Sequence, residues 1–290
     1  MVAYVKLAAN GTIMFSHTQY ELLDFGNRRK LERFASIVVD RPCPAAVNAP
    51  NTELWETATS HFDAERKPKW RHAKQLPDSW HVQFEDQTFS LQSTPSGQVG
   101  IFPEQAVNWQ FLKKKLATRD RPKLLNLFGY TGGSTIAAAR AGAEVVHVDA
   151  AKPVVTWARR NAELSGLADA PIRWIVEDAV KFVAREVKRG NRYDGIVLDP
   201  PSYGHGPKGE EWKLTRDLFN LLSDCKQLLS EMPCLFLLSC HTPGFGAPEL
   251  SAALSTCLFG SCGAGVKTRD LSLATSDSRR LFAGHAAYWP

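Results

Sequence analysis

The stretch that decides the fold is Lys123-Leu-Leu-Asn-Leu-Phe-Gly-Tyr-Thr-Gly-Gly133, an apolar run that ends in a glycine-rich turn. Its leucines predict a buried strand, and the alanine-rich residues 134–141 predict a helix directly after the turn. A glycine turn between a strand and a helix lets a ligand approach the backbone, and unpaired N–H groups at the helix start face that ligand. The sequence therefore predicts a binding site for a nucleotide-like molecule at this turn.

Three further strands are predicted downstream, and each of them delivers acidic side chains at its end. These acids are Asp149 after residues 144–148, Glu177 and Asp178 after residues 172–176, and Asp199 after residues 193–198. In a doubly wound parallel sheet the carboxyl ends of the strands meet at one edge, so we expect the acids to share one ligand crevice. Asp149 stands where such sheets carry the acid that binds a ribose diol.

Dehydrogenases that bind NAD share a strand, a glycine turn and an acid of this kind. Here the turn reads Gly129-Tyr-Thr-Gly-Gly133 and not Gly-x-Gly-x-x-Gly. The fourth strand also runs directly into Asp199-Pro-Pro-Ser-Tyr203. Both observations argue against a dehydrogenase, which stays as an alternative. Residues 211–231 then predict a helix, and residues 234–239 predict a fifth strand that ends just before Cys240.

Together, residues 128–133, Asp149, Glu177-Asp178-Ala179 and Asp199-Pro-Pro-Ser-Tyr203 resemble a class I S-adenosylmethionine-dependent methyltransferase, over about residues 98–290. The resemblance implies an α/β fold with a Rossmann-like seven-stranded methyltransferase sheet, an antiparallel final strand, and S-adenosylmethionine as the cofactor. Within the class, residues 97–105 and Ser239-Cys240-His241 are similar to segments of the bacterial large-subunit ribosomal RNA cytosine-5 methyltransferases. That similarity implies an RNA base as the acceptor.

The resemblance assigns the donor pocket to the strand ends. The turn is expected to pack against the amino-acid part of the donor, Asp149 to hold the ribose, and Asp178 with the N–H of Ala179 to read the adenine edge. Asp149 and Asp178 also stand where helix N-caps occur, which is the alternative for both. The expected cofactor-binding residues are Phe102, Gln105, Asn126, Phe128, Gly129, Tyr130, Thr131, Gly132, Gly133, Asp149, Ala150, Asp178, Ala179, Asp199 and Pro200.

Asp199, Cys240 and Tyr203 are expected to be catalytic, and two acceptor chemistries stay open. In methylation of cytosine C5, the Cys240 thiolate attacks C6 while Asp199 steadies N3, and His241 supplies charge to the thiolate. In methylation of an exocyclic amine, Asp199 accepts the amine hydrogens and Tyr203 stacks on the base. Ser202 interrupts that second motif, and it also takes the place of a further cysteine that many RNA C5 enzymes carry. Cytosine C5 is favoured, and a protein or small-molecule acceptor is a further alternative.

The composition is that of an ordinary globular protein, with 44% hydrophobic and 22% charged residues among 290. A net charge of +5 is compatible with an anionic partner such as RNA. The six cysteines show no C-x-x-C pair and no zinc spacing, so we expect no metal and a reduced, cytoplasmic protein. No apolar run reaches membrane-spanning length, so no membrane association is expected, and the oligomeric state is left open.

Residues 1–96 differ in pattern from the rest of the chain. Short alternating runs between turn residues predict a small β-rich N-terminal domain, and residues 97–290 are expected to form the methyltransferase domain. A basic segment surrounds Trp70, and Trp212 is a second candidate for stacking on bases, with ordinary solvated charge as the alternative. The cations of that segment are Lys67, Lys69, Arg71 and Lys74. The N-terminal RNA-binding module usual in the ribosomal RNA enzymes is not evident, which leaves another acceptor open.

Overall fold

The structure is a computed structural model, and it describes residues 15–50, 53–64, 68–73, 75–262 and 265–289. Lys67 and Lys74 of the basic segment lie outside the described residues. By its internal contacts the chain divides into two compact units. The first runs to Val107 and includes Ser272–Ala283, and the second comprises Asn108–Leu271 and the chain from Gly284 onward. The domain boundary expected after residue 96 lies earlier in the chain and stays a prediction.

The N-terminal unit is rich in β-structure, as its alternating sequence predicts. Its strands are β1 (Tyr20–Gly26), β2 (Arg29–Phe34), β3 (Ile37–Pro42), β4 (Ser60–Asp63), β5 (Lys69–His72), β6 (Trp80–Phe84) and β7 (Gln87–Leu91). Strands β1 to β5 form one sheet in chain order, in which only β3 and β4 are parallel neighbours, and β6 pairs with β7 as a hairpin. Leu31, Phe34 and Val39 are fully buried, so this sheet packs a core of its own.

A buried ion pair crosslinks that first sheet. Arg41 on β3 donates from Nε to Glu32 on β2 at 2.6 Å, and from Nη1 to Gln98 Oε1 at 2.6 Å. Lys30 Nζ lies 3.1 Å from the same carboxylate, and the Tyr20 hydroxyl donates to it at 3.0 Å. Burial acts to raise the pKa of Glu32, but the charges of Arg41 and Lys30 outweigh it and lower this pKa to about 2. Glu32 is therefore an ionised, fully paired carboxylate at neutral pH.

The second unit, with the elements that lead into and out of it, alternates strands and helices. These elements are α1 (Ala106–Leu116), β8 (Lys123–Leu127), α2 (Gly133–Arg140), β9 (Glu144–Asp149), α3 (Lys152–Leu164), β10 (Ile172–Val176), α4 (Ala179–Arg189), β11 (Gly195–Leu198), β12 (Tyr203–His205), β13 (Glu211–Lys213), α5 (Leu214–Gln227), β14 (Leu235–Cys240), α6 (Ala247–Phe259), β15 (Lys267–Ala274) and β16 (Arg280–Trp289). Seven of the strands form one sheet in the order β10-β9-β8-β11-β14-β16-β15. The neighbours from β10 to β14 are parallel, and β16 runs antiparallel to β14. The expected Rossmann-like seven-stranded sheet is confirmed.

Every residue of the central strands β11 and β14 is buried. Because successive side chains point to opposite faces, the sheet is covered on both faces at these strands. On one face, Phe236, Leu238 and Cys240 of β14 join Leu222 of α5 and Leu250 of α6 in a single core. The strand order reverses between β8 and β11, so their carboxyl ends frame a topological switch point. Ligands of doubly wound sheets bind at that point.

Two local predictions were wrong. The helix expected over residues 211–231 starts later, because residues 211–213 form β13, which pairs with β12 in an antiparallel hairpin. Only the middle residue of that strand, Trp212, is buried. Burial therefore alternates from residue to residue here, as in a strand and not as in a helix. Cys240 was expected beyond its strand, but it is the last residue of β14 and is paired in register with His285 of β16.

The described residues contain free cysteines, and they show neither a membrane-spanning helix nor a metal-binding cluster. All six cysteines are free thiols. In the part of the chain that the structure describes, no helix is both long and apolar enough to cross a membrane. Within the same residues, no three His, Cys, Asp or Glu side chains come together in a way that could hold a metal ion.

Removing the buried cation is expected to destabilise the protein strongly. Arg41→Met leaves the Glu32 carboxylate buried without its main partner, so the free energy of unfolding should fall by about 3 kcal/mol. Arg71→Met is the matched control, because its ion pair with Asp63 lies at the surface, where such pairs contribute less than about 1 kcal/mol. Urea denaturation at pH 7 measures both changes. Equal, small losses in the two variants would contradict the role given to Arg41.

Candidate active site

The turn between β8 and α2 has a strained backbone. Phe128 and Tyr130 have positive φ angles of 55° and 46°, which residues with a side chain rarely adopt, and Gly132 has a φ of 92°. The N–H of Gly129 donates to the carbonyl of Val148 in β9 at 3.0 Å. The turn is therefore pinned against β9, and strain of this kind is concentrated at ligand sites in proteins.

Packing within the protein requires two of the glycines in this turn. A Cβ atom on Gly129 would lie 2.4 Å from the ring of His147, and one on Gly133 would lie 2.6 Å from the ring of Trp109. Close approach of a ligand was the reason expected for these glycines. The structure shows that two protein rings approach these glycines closely, so β9 and α1 shape the turn from beneath, and close approach of a ligand stays a prediction.

A chain of buried polar groups lies beneath the turn. Asn126 Nδ2 donates to Thr135 Oγ1 at 2.9 Å, and Thr135 Oγ1 lies 2.8 Å from His147 Nδ1. All three side chains are buried. Burial lowers the pKa of His147 to about 3, so its ring is neutral near pH 7. The amide nitrogen of Asn126 is thus used inside the protein, and its contact with the donor stays a prediction.

Asp149, at the end of β9, accepts hydrogen bonds from the turn and from the start of α3. Its Oδ2 accepts from the N–H of Tyr130 and its Oδ1 from the N–H of Ala151, both at 3.0 Å. Burial raises the pKa of Asp149, and the N–H groups of Ala151, Tyr130 and Ala150 oppose that rise. A carboxylate offers about four lone-pair positions, so capacity remains for a ribose hydroxyl. Helix α3 has Ala151 and not Asp149 as its N-cap.

Asp178 and Thr131 are likewise held by the protein. Asp178 is the N-cap of α4, and its Oδ1 accepts from the N–H of Lys181 at 2.9 Å. The N-cap alternative for Asp178 is therefore confirmed, and recognition of adenine by Asp178 and Ala179 stays a prediction. Thr131 is buried, and its carbonyl accepts a hydrogen bond from Asn161 Nδ2 at 2.9 Å.

Phe102 and Gln105 belong to the first unit. Gln105 is buried at the end of a short 3-10 helix, and its N–H donates to the carbonyl of Phe102 at 3.0 Å. Their expected part in closing the donor pocket stays a prediction.

Two loops meet at the carboxyl ends of β11 and β14. Ser239 Oγ donates to Asp199 Oδ1 at 2.6 Å, and His241 Nε2 lies 3.3 Å from the same oxygen. Ser202 Oγ and Thr242 Oγ1 are 2.7 Å apart. The side chain of Asp199 is 30% exposed. The Asp-Pro-Pro-Ser loop is therefore crosslinked to the loop after β14, and Asp199 is still accessible from solvent.

Cys240 lies between Ser239 and His241 in sequence, but its side chain is in a different environment. It is 1% exposed, belongs to the core with Phe236 and Leu238, and accepts the N–H of Thr242 on Sγ at 3.4 Å. Alternate residues of a strand face opposite sides of a sheet, which separates the thiol from Ser239. Attack by Cys240 on a substrate therefore requires the end of β14 to move from this arrangement.

Tyr203 opens the β12–β13 hairpin and is separated from the two prolines by Ser202. Its side chain is 50% exposed. Its hydroxyl donates to Glu211 Oε1 at 3.3 Å and lies 3.0 Å from His205 Nε2. An aromatic ring that is held through its hydroxyl and half exposed is suited to stacking on a flat base.

Trp212 anchors that hairpin and does not meet solvent. It is 4% exposed, its Nε1 donates to the carbonyl of Pro201 at 2.7 Å, and its ring centroid lies 5.0 Å from that of Phe128. Stacking of Trp212 on a substrate base was expected as one possibility, and its burial corrects this. Trp212 instead joins the turn after β8 to the loop after β11. In that loop Pro200, which precedes Pro201, is buried.

Comparison with known proteins decides the family. Residues 14–252 match the family model described as S-adenosylmethionine-dependent methyltransferase. The chain belongs to this family. This methyltransferase therefore takes S-adenosylmethionine as its cofactor, and the dehydrogenase alternative is excluded. The strained turn, the start of α2 and Asp149 fit such a group, because they bring backbone N–H groups and a partly satisfied carboxylate to one sheet edge.

Individual relatives agree with the family. A crystal structure of an S-adenosylmethionine-dependent methyltransferase from Agrobacterium tumefaciens is 37% identical, with a TM-score of 0.87 over 93% of this chain and 90% of that chain. Ribosomal RNA large subunit methyltransferase I of Aeromonas salmonicida is 37% identical over 37% of this chain and 26% of that protein. Ribosomal RNA large subunit methyltransferase K/L of Shewanella baltica is 31% identical over 49% of this chain and 20% of that protein. The methyltransferase thus spans about a quarter of the length of these curated relatives where it matches them.

Gly129→Ala is expected to abolish most binding of S-adenosylmethionine. The added Cβ would meet the His147 ring at 2.4 Å, so the turn must leave its present conformation. A cost above about 1.4 kcal/mol lowers the affinity more than tenfold. Gly204→Ala is the control, because its Cβ would make only an ordinary 3.5 Å contact. Isothermal titration calorimetry measures both, and native affinity in Gly129→Ala would refute this account of the turn.

Because of His147, the free energy of unfolding is expected to fall as the pH falls. Its pKa is about 3 in the folded protein against 6.5 ordinarily, so below pH 6.5 the unfolded chain binds a proton that the folded chain does not. The contribution of the neutral ring to the free energy of unfolding is complete above pH 6.5. Below that pH the contribution falls by about 1.4 kcal/mol for each pH unit. Between pH 7 and pH 5 the free energy of unfolding should therefore drop by about 2 kcal/mol more in the native protein than in His147→Gln.

Denaturant unfolding at a series of pH values measures this difference. His81→Gln is the control, because His81 is exposed and its loss should leave the native slope intact. Parallel slopes for the native protein and His147→Gln would show that the buried ring does not resist protonation.

Proposed function

We propose that this methyltransferase methylates a base in RNA, with large-subunit ribosomal RNA as the favoured substrate. The names of the curated relatives support this, since both act on that RNA, although the match covers only part of each. The observation in the structure that carries the proposal is that Asp199 and Tyr203, four residues apart in the segment after β11, are both partly exposed. A carboxylate that accepts N–H groups suits the edge of a nucleobase, and a partly exposed aromatic ring suits its plane.

Cytosine C5 is the first candidate for the accepting atom. In that reaction Cys240 Sγ bonds to C6, which makes C5 nucleophilic enough to take the methyl group of S-adenosylmethionine. Loss of the C5 proton then lets the Sγ–C6 bond break and restores the aromatic base. Cys240 ends β14, the sheet neighbour of β11, and Asp199 directly follows β11, so both groups belong to the same edge.

An exocyclic amine is the second candidate, and the burial of Cys240 favours it. The thiol is 1% exposed, whereas the ring of Tyr203 is 50% exposed. In this reaction the amine nitrogen attacks the methyl carbon, the bond from that carbon to the sulfonium breaks, and the nitrogen loses a proton. Asp199 holds the amine through its N–H, Tyr203 stacks on the base, and no thiol takes part.

Nucleoside mass spectrometry separates the two chemistries. RNA from cells that lack this chain is treated with S-adenosylmethionine and the native protein, Cys240→Ala or Asp199→Asn. Methylation of cytosine C5 predicts 5-methylcytidine that disappears in Cys240→Ala, because the covalent step is lost. Methylation of an amine predicts an amino-methylated nucleoside that persists in Cys240→Ala and falls by about a hundredfold or more in Asp199→Asn.

Cys257→Ala is the matched control for the thiol, because Cys257 is also buried but lies in α6, away from Asp199. It should methylate RNA as the native protein does. If the native protein binds S-adenosylmethionine in calorimetry and still transfers no methyl group to RNA, the proposed substrate class is wrong.

A further inference from the structure

We propose that Ser239 and His241 are positioning residues that fix the Asp199 carboxylate for methyl transfer. The inference rests on the proposed role of Asp199 in methylation of a base, and it applies to either accepting atom. It gives the Ser-Cys-His segment a purpose that does not depend on the thiol.

Both contacts fall on one oxygen of the carboxylate. Ser239 Oγ is 2.6 Å from Asp199 Oδ1, and His241 Nε2 is 3.3 Å from the same atom. Ser239 Oγ is also 3.5 Å from the carbonyl of Leu198, but a hydroxyl has one proton, and the shorter contact is the hydrogen bond. Ser239 is 2% exposed, so water does not compete for that proton.

The strand pattern explains why these two residues act together. Ser239 lies in β14 on the side of the sheet opposite to Cys240, whose side chain turns into the core. His241 directly follows the strand, and both Ser239 and His241 contact Asp199. Cys240 packs with Phe236 and Leu238. The residues that flank the cysteine are therefore the ones that contact the acid.

The neighbouring strand β16 provides room for the imidazole. Gly284 has a φ of 148°, and a Cβ there would lie 3.0 Å from His241 Nδ1 and 2.5 Å from the carbonyl oxygen of Cys240. A side chain at this position would displace the end of β14 and the ring of His241. Ser202 and Thr242 form a second contact between the loop after β11 and the loop after β14, with their hydroxyl oxygens 2.7 Å apart.

Ser239 Oγ donates to Asp199 Oδ1, and His241 Nε2 is a second donor to that oxygen when this nitrogen carries a proton. They orient the plane of the carboxylate and so set the direction of its second oxygen. An ionised carboxylate accepts hydrogen bonds and does not donate them. A base that meets Asp199 therefore presents an N–H group to it, and the angle of that N–H is set before the substrate arrives.

The test uses the full chain with Ser239→Ala, His241→Ala, His241→Gln and the double variant Ser239→Ala/His241→Ala. Rapid-quench kinetics gives kcat and KM on the RNA that the native protein methylates, and crystal structures with S-adenosylmethionine give the orientation of Asp199. We expect kcat to fall about tenfold to hundredfold in the double variant, with KM for S-adenosylmethionine within about twofold of native. His241→Gln should recover part of the loss, because its amide N–H can replace the imidazole N–H.

His285→Gln is the matched control. His285 lies at the same sheet edge and already pairs with Asp270 at 2.9 Å, and its loss should leave kcat unchanged. Circular dichroism checks that each variant is folded, and His241→Gln serves if the double variant is not.

Native kcat in the double variant, a loss confined to KM for S-adenosylmethionine, or an unmoved Asp199 in its crystal structure would each overturn the inference. If the native protein methylates no RNA at all, the proposed function fails on that result alone. The crystallographic comparison then still decides whether Ser239 and His241 position Asp199.

Discussion

The close approach of the turn after β8 to strand β9 is the constraint on which the donor site depends. Gly129 donates to Val148 at 3.0 Å, and the ring of His147 leaves no space for a side chain on that glycine. Tyr130 is held at a φ of 46° because its N–H is bonded to Asp149. Without these contacts a strained turn would relax, and the start of α2 would no longer face the sheet edge.

The same constraint reaches the acceptor side through aromatic packing. Phe128 in the strained turn packs on Trp212, and Trp212 bonds to the carbonyl of Pro201. The Asp-Pro-Pro-Ser loop is thus fastened to the turn after β8 on one side and to Ser239 and Thr242 on the other. Methyl transfer requires donor and acceptor in line, and one connected set of contacts supports both ends of that line.

The thiol of Cys240 shows how a segment can resemble a family motif and still leave its chemistry open. The order Ser-Cys-His suggests a nucleophile, yet the strand continues through Cys240 and turns its side chain into the core. Its neighbours reach Asp199 instead. The proposed attack by Cys240 on C6 therefore requires the end of β14 to turn the thiol out of the core.

Much of the fold could be predicted because its signals are local. The apolar runs of β8, β9, β10, β11 and β14, and the acids at the ends of β9, β10 and β11, follow from periodicity and spacing alone. The β12–β13 hairpin could not, because it is three residues long on each side and its only buried residue, Trp212, is covered by residues distant in sequence. The buried ion pair between Glu32 and Arg41 could not be predicted either, because charged residues usually lie at the protein surface.

By itself the sequence determined the strand–turn–helix order and the acids at the strand ends, because these depend on neighbouring residues and on the register of a parallel sheet. The cofactor followed from the resemblance of these segments to a methyltransferase family. Only the tertiary structure decided what each polar group contacts. It placed Asn126 beneath the turn, made Asp178 a helix cap, buried Cys240 and joined Ser239 and His241 to Asp199. A hydrogen bond reports a distance of about 3 Å between atoms, and such distances between residues far apart in the chain exist only after the strands have packed.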